Sequence, residues 1–180
     1  MEIQETGLEG CLIIKPRIFE DGRGYFFESF SATNFEKLTG AFAGFVQDNQ
    51  SFSAYGVIRG LHAQSGEFAQ AKLVRVLQGE VLDVAVDMRP ESPTYGQHVA
   101  VKLSAENKLQ LYVPRGFLHG FAVLSDTAEF FYKCDNYYNK ESEVGFHPAS
   151  PELNINWLID ADKRIIGEKD LLLPNFSTEK

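Results

Sequence analysis

Apolar positions along the middle of the chain come in short runs broken by turn residues. GYFFESF (24–30), FAGFVQDNQSF (42–52), GVIRGL (56–61), AKLVRVLQG (71–79) and EVLDVAVDM (80–88) each have strand character. HVAVKL (98–103), LQLYVP (109–114), HGFAVL (119–124) and AEFFYKCD (128–135) continue the series. Several alternate with period two, so Lys72, Val74 and Val76 share a face, as do Leu82, Val84, Val86 and Met88. QGE (78–80), RPESPTYG (89–96), SAENK (104–108) and LSDT (124–127) supply the turns. Many short strands at regular spacing predict an all-β sandwich or barrel. SATNFEKLTG (31–40) differs: a Ser or Thr cap, a Phe–Leu spacing and a closing Gly predict a short helix. The tail after Trp157, DADKRIIGEKDLLLP, reads as a wrapping loop and short helix. With no linker, repeat or low-complexity block, residues 1–180 are expected to form one domain.

Composition narrows the function. Apolar residues make up 44% and charged residues 23%, as in globular proteins generally. A formal net charge of −8 argues against general affinity for nucleic acid or anionic membrane. It leaves room for a small anionic ligand held by a few arginines. Cys11 and Cys134 lie in no metal-ligand or disulfide-framework spacing. The acidic start MEIQETGLEG lacks the apolar core of a signal peptide, and no apolar run has bilayer length. A cytoplasmic, reduced protein is expected. The aromatic share, 13%, reads first as sheet packing and second as flooring for a base or sugar ring. His98 and His147 match no motif and read as surface or structural, and Trp157 reads as core.

Two segments carry candidate chemistry, RGLHAQ (59–64) and PRGFLH (114–119). The second has the spacing of a motif found in cupins, small barrels of jelly-roll type. Metal-dependent cupins place two histidines as H-x-H in the first motif. Here that stretch is His62-Ala63-Gln64, and Lys72 stands near where an acidic ligand is expected. A lysine repels a cation, so the pattern predicts a cupin barrel without its metal, and no cofactor is expected. Histidine and lysine in a barrel mouth suit another chemistry. A histidine can take a proton next to a ketone, and an ammonium can stabilise the enolate oxygen. Tyr132 is the candidate acid on the opposite face. Cys134 alternates with it and reads as a buried thiol sharing that face.

With these residues in hand the sequence resembles the dTDP-4-dehydrorhamnose 3,5-epimerase family. The likeness runs from about residue 10 to about 157, through FEDGRGYFFESF, FVQDNQS, GVIRGLHAQ, QAKLVRVLQGEVLDVAVDMR, SPTYG, LSAENK, VPRGFLHGF and AEFFYKCDNYY. The resemblance implies a cupin-like jelly roll. It implies His62 as general base, held by Asp170, and Tyr132 as general acid. Lys72 stabilises the enolate oxygen and His119 contacts the sugar. Arg23 and Arg59 hold the diphosphate. Glu28, Gln47, Asp48 and Asn49 contact the nucleotide, Tyr138 stacks on thymine, and Glu143 and Lys169 are outer ligand contacts. It implies a homodimer in which Arg23 and its neighbours reach the partner's site. Ala63 replaces the family's usual Phe or Tyr, Ala71 its usual Gly, and GFHPASPEL (145–153) its W-N-D-type stretch. None of these removes a catalytic group, and the altered 146–150 loop is expected at the site's rim.

The leading expectation is conversion of dTDP-4-dehydro-6-deoxy-D-glucose to dTDP-4-dehydro-L-rhamnose by inversion at C3 and C5. A mono-epimerase would use the same residues. A non-catalytic sugar-nucleotide-binding cupin would need Arg23, Arg59 and Tyr138 but not the base. A metal-dependent dioxygenase would need ligands that the motifs lack.

Overall fold

The alternation along the middle strands resolves into two facing antiparallel sheets. The computed structural model describes residues 1–42 and 44–177. In chain order the strands and helices begin with β1 (Glu2–Glu5), β2 (Leu12–Lys15), β3 (Phe19–Asp21), β4 (Gly24–Phe26), α1 (Ala32–Thr39), β5 (Gln47–Ala54), β6 (Val57–Gln64) and β7 (Lys72–Gln78). They continue as β8 (Glu80–Asp87), β9 (His98–Ser104), β10 (Gln110–Val113), β11 (Phe117–Val123), β12 (Thr127–Cys134), β13 (Glu143–Gly145), β14 (Ile165–Ile166) and α2 (Glu168–Leu171). One sheet has the order β1-β2-β10-β7-β12-β5 and the other β13-β6-β11-β8-β9, with β14 added parallel to β6. This is the sandwich expected from the spacing of turns and the jelly roll that the family resemblance implies.

Val74 and Val76 of β7 meet Val81, Ala85, Phe121 and Phe130 between the sheets. On the other side of β8, Leu82, Val84 and Val86 lie under Leu153, Trp157, Ile159 and Phe176 of the returning tail. Both predicted faces therefore exist, and each fully buried side chain of this kind contributes roughly 1.5–3 kcal/mol. Trp157 is fully buried, and its indole N–H donates to the Pro148 carbonyl at 2.7 Å. Helix α1 starts at Ser31, whose side chain accepts from the Asn34 N–H, and ends at Gly40 in the left-handed conformation. Its Phe35 packs on Ile14, Leu73 and Tyr112 outside the first sheet.

Three expectations need correction. GYFFESF is strand only through Phe26. Beyond it, Phe30 packs edge-on against Phe45, and Gln110 Nε2 donates to the Ser29 carbonyl. The run is apolar because its rings cover a sheet, not because it pairs. The strand expected over 42–52 begins at Gln47, and position 43 lies outside the described residues. The sequence pattern missed β1, β2, β3, β13 and β14. All five are only 2–4 residues long, all but β2 lie at or beyond a sheet edge, and EIQE in β1 is mostly exposed.

Candidate active site

Four strand ends converge at one mouth of the sandwich. Gln47 opens β5, Lys72 opens β7, Gln64 closes β6 and Cys134 closes β12. They surround two adjoining cavities of about 500 and about 430 Å³ that share Asn49, His62, Lys72, Tyr132 and Lys169. The first also takes in Arg59, His119 and Asp170, and the second Gln47, Tyr138 and Glu143.

Strict alternation would put Arg59 and His62 on opposite faces of β6. Across β11, however, His119 pairs with His62 while Phe121 pairs with Arg59, so β6 carries one extra residue. That bulge turns both side chains into the cavity. Gly60 makes it possible: its φ is +112°, and a Cβ there would sit 2.7 Å from Gly120 Cα and from the His119 carbonyl. The glycine in RGLH thus serves the histidine two positions later.

His62 Nε2 lies 2.7 Å from Asp170 Oδ1, and Asp170 Oδ2 accepts from the Gly60 N–H at 3.1 Å. Burial alone would raise the Asp170 carboxyl, but the bonds from His62 and Gly60 overcome it and hold the group below its usual range. An ionised carboxylate only accepts, so Nε2 carries the proton that bonds it. The expected pairing across 108 positions exists.

Lys72 faces the Tyr132 ring at 5.8 Å and, among the described residues, makes no ion pair. Desolvation lowers its pKa, against weak pulls from Cys134, Asp83 and Glu143. Desolvation raises the Tyr132 phenol, which stays protonated at neutral pH. His119 is buried, stacks near Phe130 and pairs through Nε2 with Asp83 Oδ1 at 2.9 Å. Arg59 Nε donates to Ser53 Oγ at 3.1 Å. At the rim, the Tyr138 hydroxyl donates to Glu143 Oε2 at 2.7 Å, and Lys169 pairs with Glu143 Oε1. Gln47 Nε2 donates to Asn49 Oδ1 at 3.0 Å, and Asn49 reaches the Cys134 thiol.

Three expected residues are not brought to this cleft. Asp48 falls on the outer face of β5 and pairs with Lys133 at 2.9 Å, because period two separates it from Gln47 and Asn49. Arg23 is exposed in the β3–β4 hairpin and paired with Asp21, and Glu28 bonds Asn34 beside α1. The 146–150 loop, expected at the rim, lies outside both cavity linings. Reasoning from motifs missed Asp83, whose Oδ2 is the one buried side-chain polar atom among the described residues without a partner. Its signal was an aspartate inside the apolar run EVLDVAVDM. Gln64, noted only as a missing ligand, anchors the rim by accepting from the Asn139 N–H at 2.8 Å.

Known proteins share this sequence pattern and fold. The sequence profile of dTDP-4-dehydrorhamnose 3,5-epimerase matches residues 5–178. A relative of that description from Shigella flexneri is 50% identical over 173 residues, covering 94% of this chain and 96% of its own. The crystal structure of the dTDP-4-dehydrorhamnose 3,5-epimerase from Elizabethkingia anophelis superposes with a TM-score of 0.95 at 56% identity, covering 98% of this chain and 96% of the other. A Legionella pneumophila dTDP-6-deoxy-D-glucose-3,5-epimerase, solved in complex with dTDP-4-keto-L-rhamnose, gives 0.90 at 47% identity, covering 98% and 99%. By its sequence, its fold and the order of its motifs, the chain belongs to the dTDP-4-dehydrorhamnose 3,5-epimerase family.

Proposed function

We propose that this chain converts dTDP-4-dehydro-6-deoxy-D-glucose to dTDP-4-dehydro-L-rhamnose, inverting C3 and C5 beside the C4 ketone. The observation that carries the reading is the His62–Asp170 pair, which shares one cavity with a protonated Tyr132 and a Lys72 that makes no ion pair among the described residues.

His62 removes the proton from the carbon next to the ketone, and the electron pair moves into the C4 oxygen. Asp170 stabilises the resulting imidazolium and fixes its orientation. Lys72 has lost water without gaining a carboxylate, so an enolate oxygen supplies the anion it lacks, and the interaction strengthens as charge develops. Tyr132 returns a proton from the other side; its raised pKa suits delivery to a basic enolate. A proton leaving one face and arriving on the other inverts the carbon; His62 then releases its proton to solvent, Tyr132 regains one from it, and repetition at the second carbon completes the reaction.

Arg59 is assigned to the diphosphate, where a guanidinium pairs bidentately with phosphate oxygens. His119 contacts the sugar. Tyr138 stacks on the base, with Gln47, Asn49, Glu143 and Lys169 around the nucleotide. Asp48 is left out of the ligand shell. Arg23 and Glu28 are assigned to the partner's site in a homodimer. The exposed Tyr25 and Phe26 on the same hairpin, 59% and 71% accessible, support an arm that packs on a second copy. We place the reaction in the cytoplasm, where two free cysteines persist, and take residues 1–180 as one epimerase domain. Among the described residues no helix is long and apolar enough to cross a membrane.

The test is product analysis. Enzyme and dTDP-4-dehydro-6-deoxy-D-glucose are incubated, reduced with borohydride and hydrolysed. L-rhamnose and its C4 epimer are expected. Recovery of only 6-deoxy-D-glucose and its C4 epimer would overturn the reading. A sugar inverted at one carbon would narrow it to mono-epimerisation.

A further inference from the structure

His62 and Asp170 come from distant parts of the chain, and one short stretch touches both of their supports. On the histidine side, Gly145 is the cross-strand neighbour of His62, and Phe146 and Leu61 exchange backbone hydrogen bonds at 3.1 and 3.2 Å. On the aspartate side, the His147 N–H donates to the Pro174 carbonyl at 2.8 Å. Ser150 Oγ accepts from the Phe176 N–H at 2.9 Å and donates to the His147 carbonyl at 2.7 Å.

The turn that bears Asp170 is thereby fixed at both ends. Upstream, Ile165 and Ile166 are zipped onto β6 as β14, and downstream Pro174 and Phe176 are tied to the 147–150 loop. Gly145 lies where the two supports meet. A Cβ there would be 2.7 Å from the Leu61 carbonyl, 3.1 Å from His62 Cδ2 and 3.0 Å from Leu173 Cδ1. Ser150 is buried and touches neither cavity.

We infer that residues 145–150 form a splint that holds the histidine–carboxylate pair in register, and that Ser150 is a positioning residue acting through Asp170. The inference rests on the proposed role of His62 and Asp170. Its physical basis is that a tail only partly tied down samples positions in which the 2.7 Å bond is broken, and a 1 Å error at a reacting group is felt strongly in rate. Ser150 contacts no ligand position, so its removal acts on turnover and not on binding.

The test is a double-mutant cycle of Ser150→Ala and Asp170→Asn, with turnover followed by NMR. Ser150→Ala is expected to lower kcat about tenfold or more, with KM and dTDP affinity unchanged. The downfield proton signal of the His62–Asp170 bond is expected to weaken in a cooperatively melting protein. In the Asp170→Asn background Ser150→Ala is expected to add no further loss. Full activity in Ser150→Ala, or losses that multiply in the double variant, would overturn the splint. If Ser150→Ala does not fold, Ser150→Cys, which is nearly the same shape though larger and weakens both bonds, is read by the same criteria. Asp170→Asn with wild-type kcat would instead overturn the assignment of the pair itself.

Discussion

Replacing Lys72 by methionine should make the protein more stable and nearly inactive. The substitution keeps length and volume and deletes the charge. Lys72 is partly buried, its ammonium is desolvated, and among the described residues it has no carboxylate partner. Such a cation costs on the order of 1 kcal/mol. Relieving that cost should raise Tm by about 2–4 °C in a chain of this size. The pH dependence gives a second signature. Because the folded-state pKa lies below the ordinary 10.5, the unfolded chain binds more protons between the two values. Wild-type stability should therefore rise with pH across that window, and the advantage of Lys72→Met should vanish above it. Turnover should fall by about 10²- to 10³-fold, the scale of losing one oxyanion-stabilising group. Thermal melts across pH and NMR turnover assays check both halves. Turnover within tenfold of wild type would refute the enolate role. A marked fall in Tm would refute the reasoning about an unpartnered cation.

Three further expectations follow from other parts of the molecule. His62→Ala should lower turnover by about 10²- to 10⁴-fold, with dTDP affinity by calorimetry within about threefold. Burial alone would raise the Asp87 carboxyl, but bonds from Arg89, Ser92 and Thr94 hold it below the ordinary 3.8. Its contribution is present above that value and lost as pH falls through the lower folded one, so Asp87→Asn should cost about 2–3 kcal/mol at neutral pH and flatten the acid limb of the stability profile. Burial pushes the Cys11 thiol up to about 12 and the Cys134 thiol up to about 11, so neither should react with a disulfide reagent at pH 8 until denaturant is added.

Much of this site could be read from residue order, and the exceptions have physical reasons. The β7 face of Lys72, Val74 and Val76 followed from period two, and so did the shared face of Tyr132 and Cys134. The same periodicity would have removed Asp48 from the ligand shell, but taking Gln47 to Asn49 as one block ignored the strand. Arg59 and His62 share a cavity only through the bulge at Gly60, and no alternation rule anticipates a bulge. Phe27 to Phe30 looked like strand because rings that cover a sheet and rings inside a strand have the same composition. The His62–Asp170 contact joins positions 108 apart, so it came from resemblance and not from local pattern. Asp83 escaped because its partner, His119, lies on another strand.

The most direct test of the account is proton NMR of the purified protein with dTDP-4-dehydro-6-deoxy-D-glucose in deuterium oxide. Deuterium at both C3 and C5 of a rhamno-configured product is the expected result. A product without solvent deuterium, or no exchange at either carbon while the nucleotide sugar binds, would contradict proton abstraction by His62.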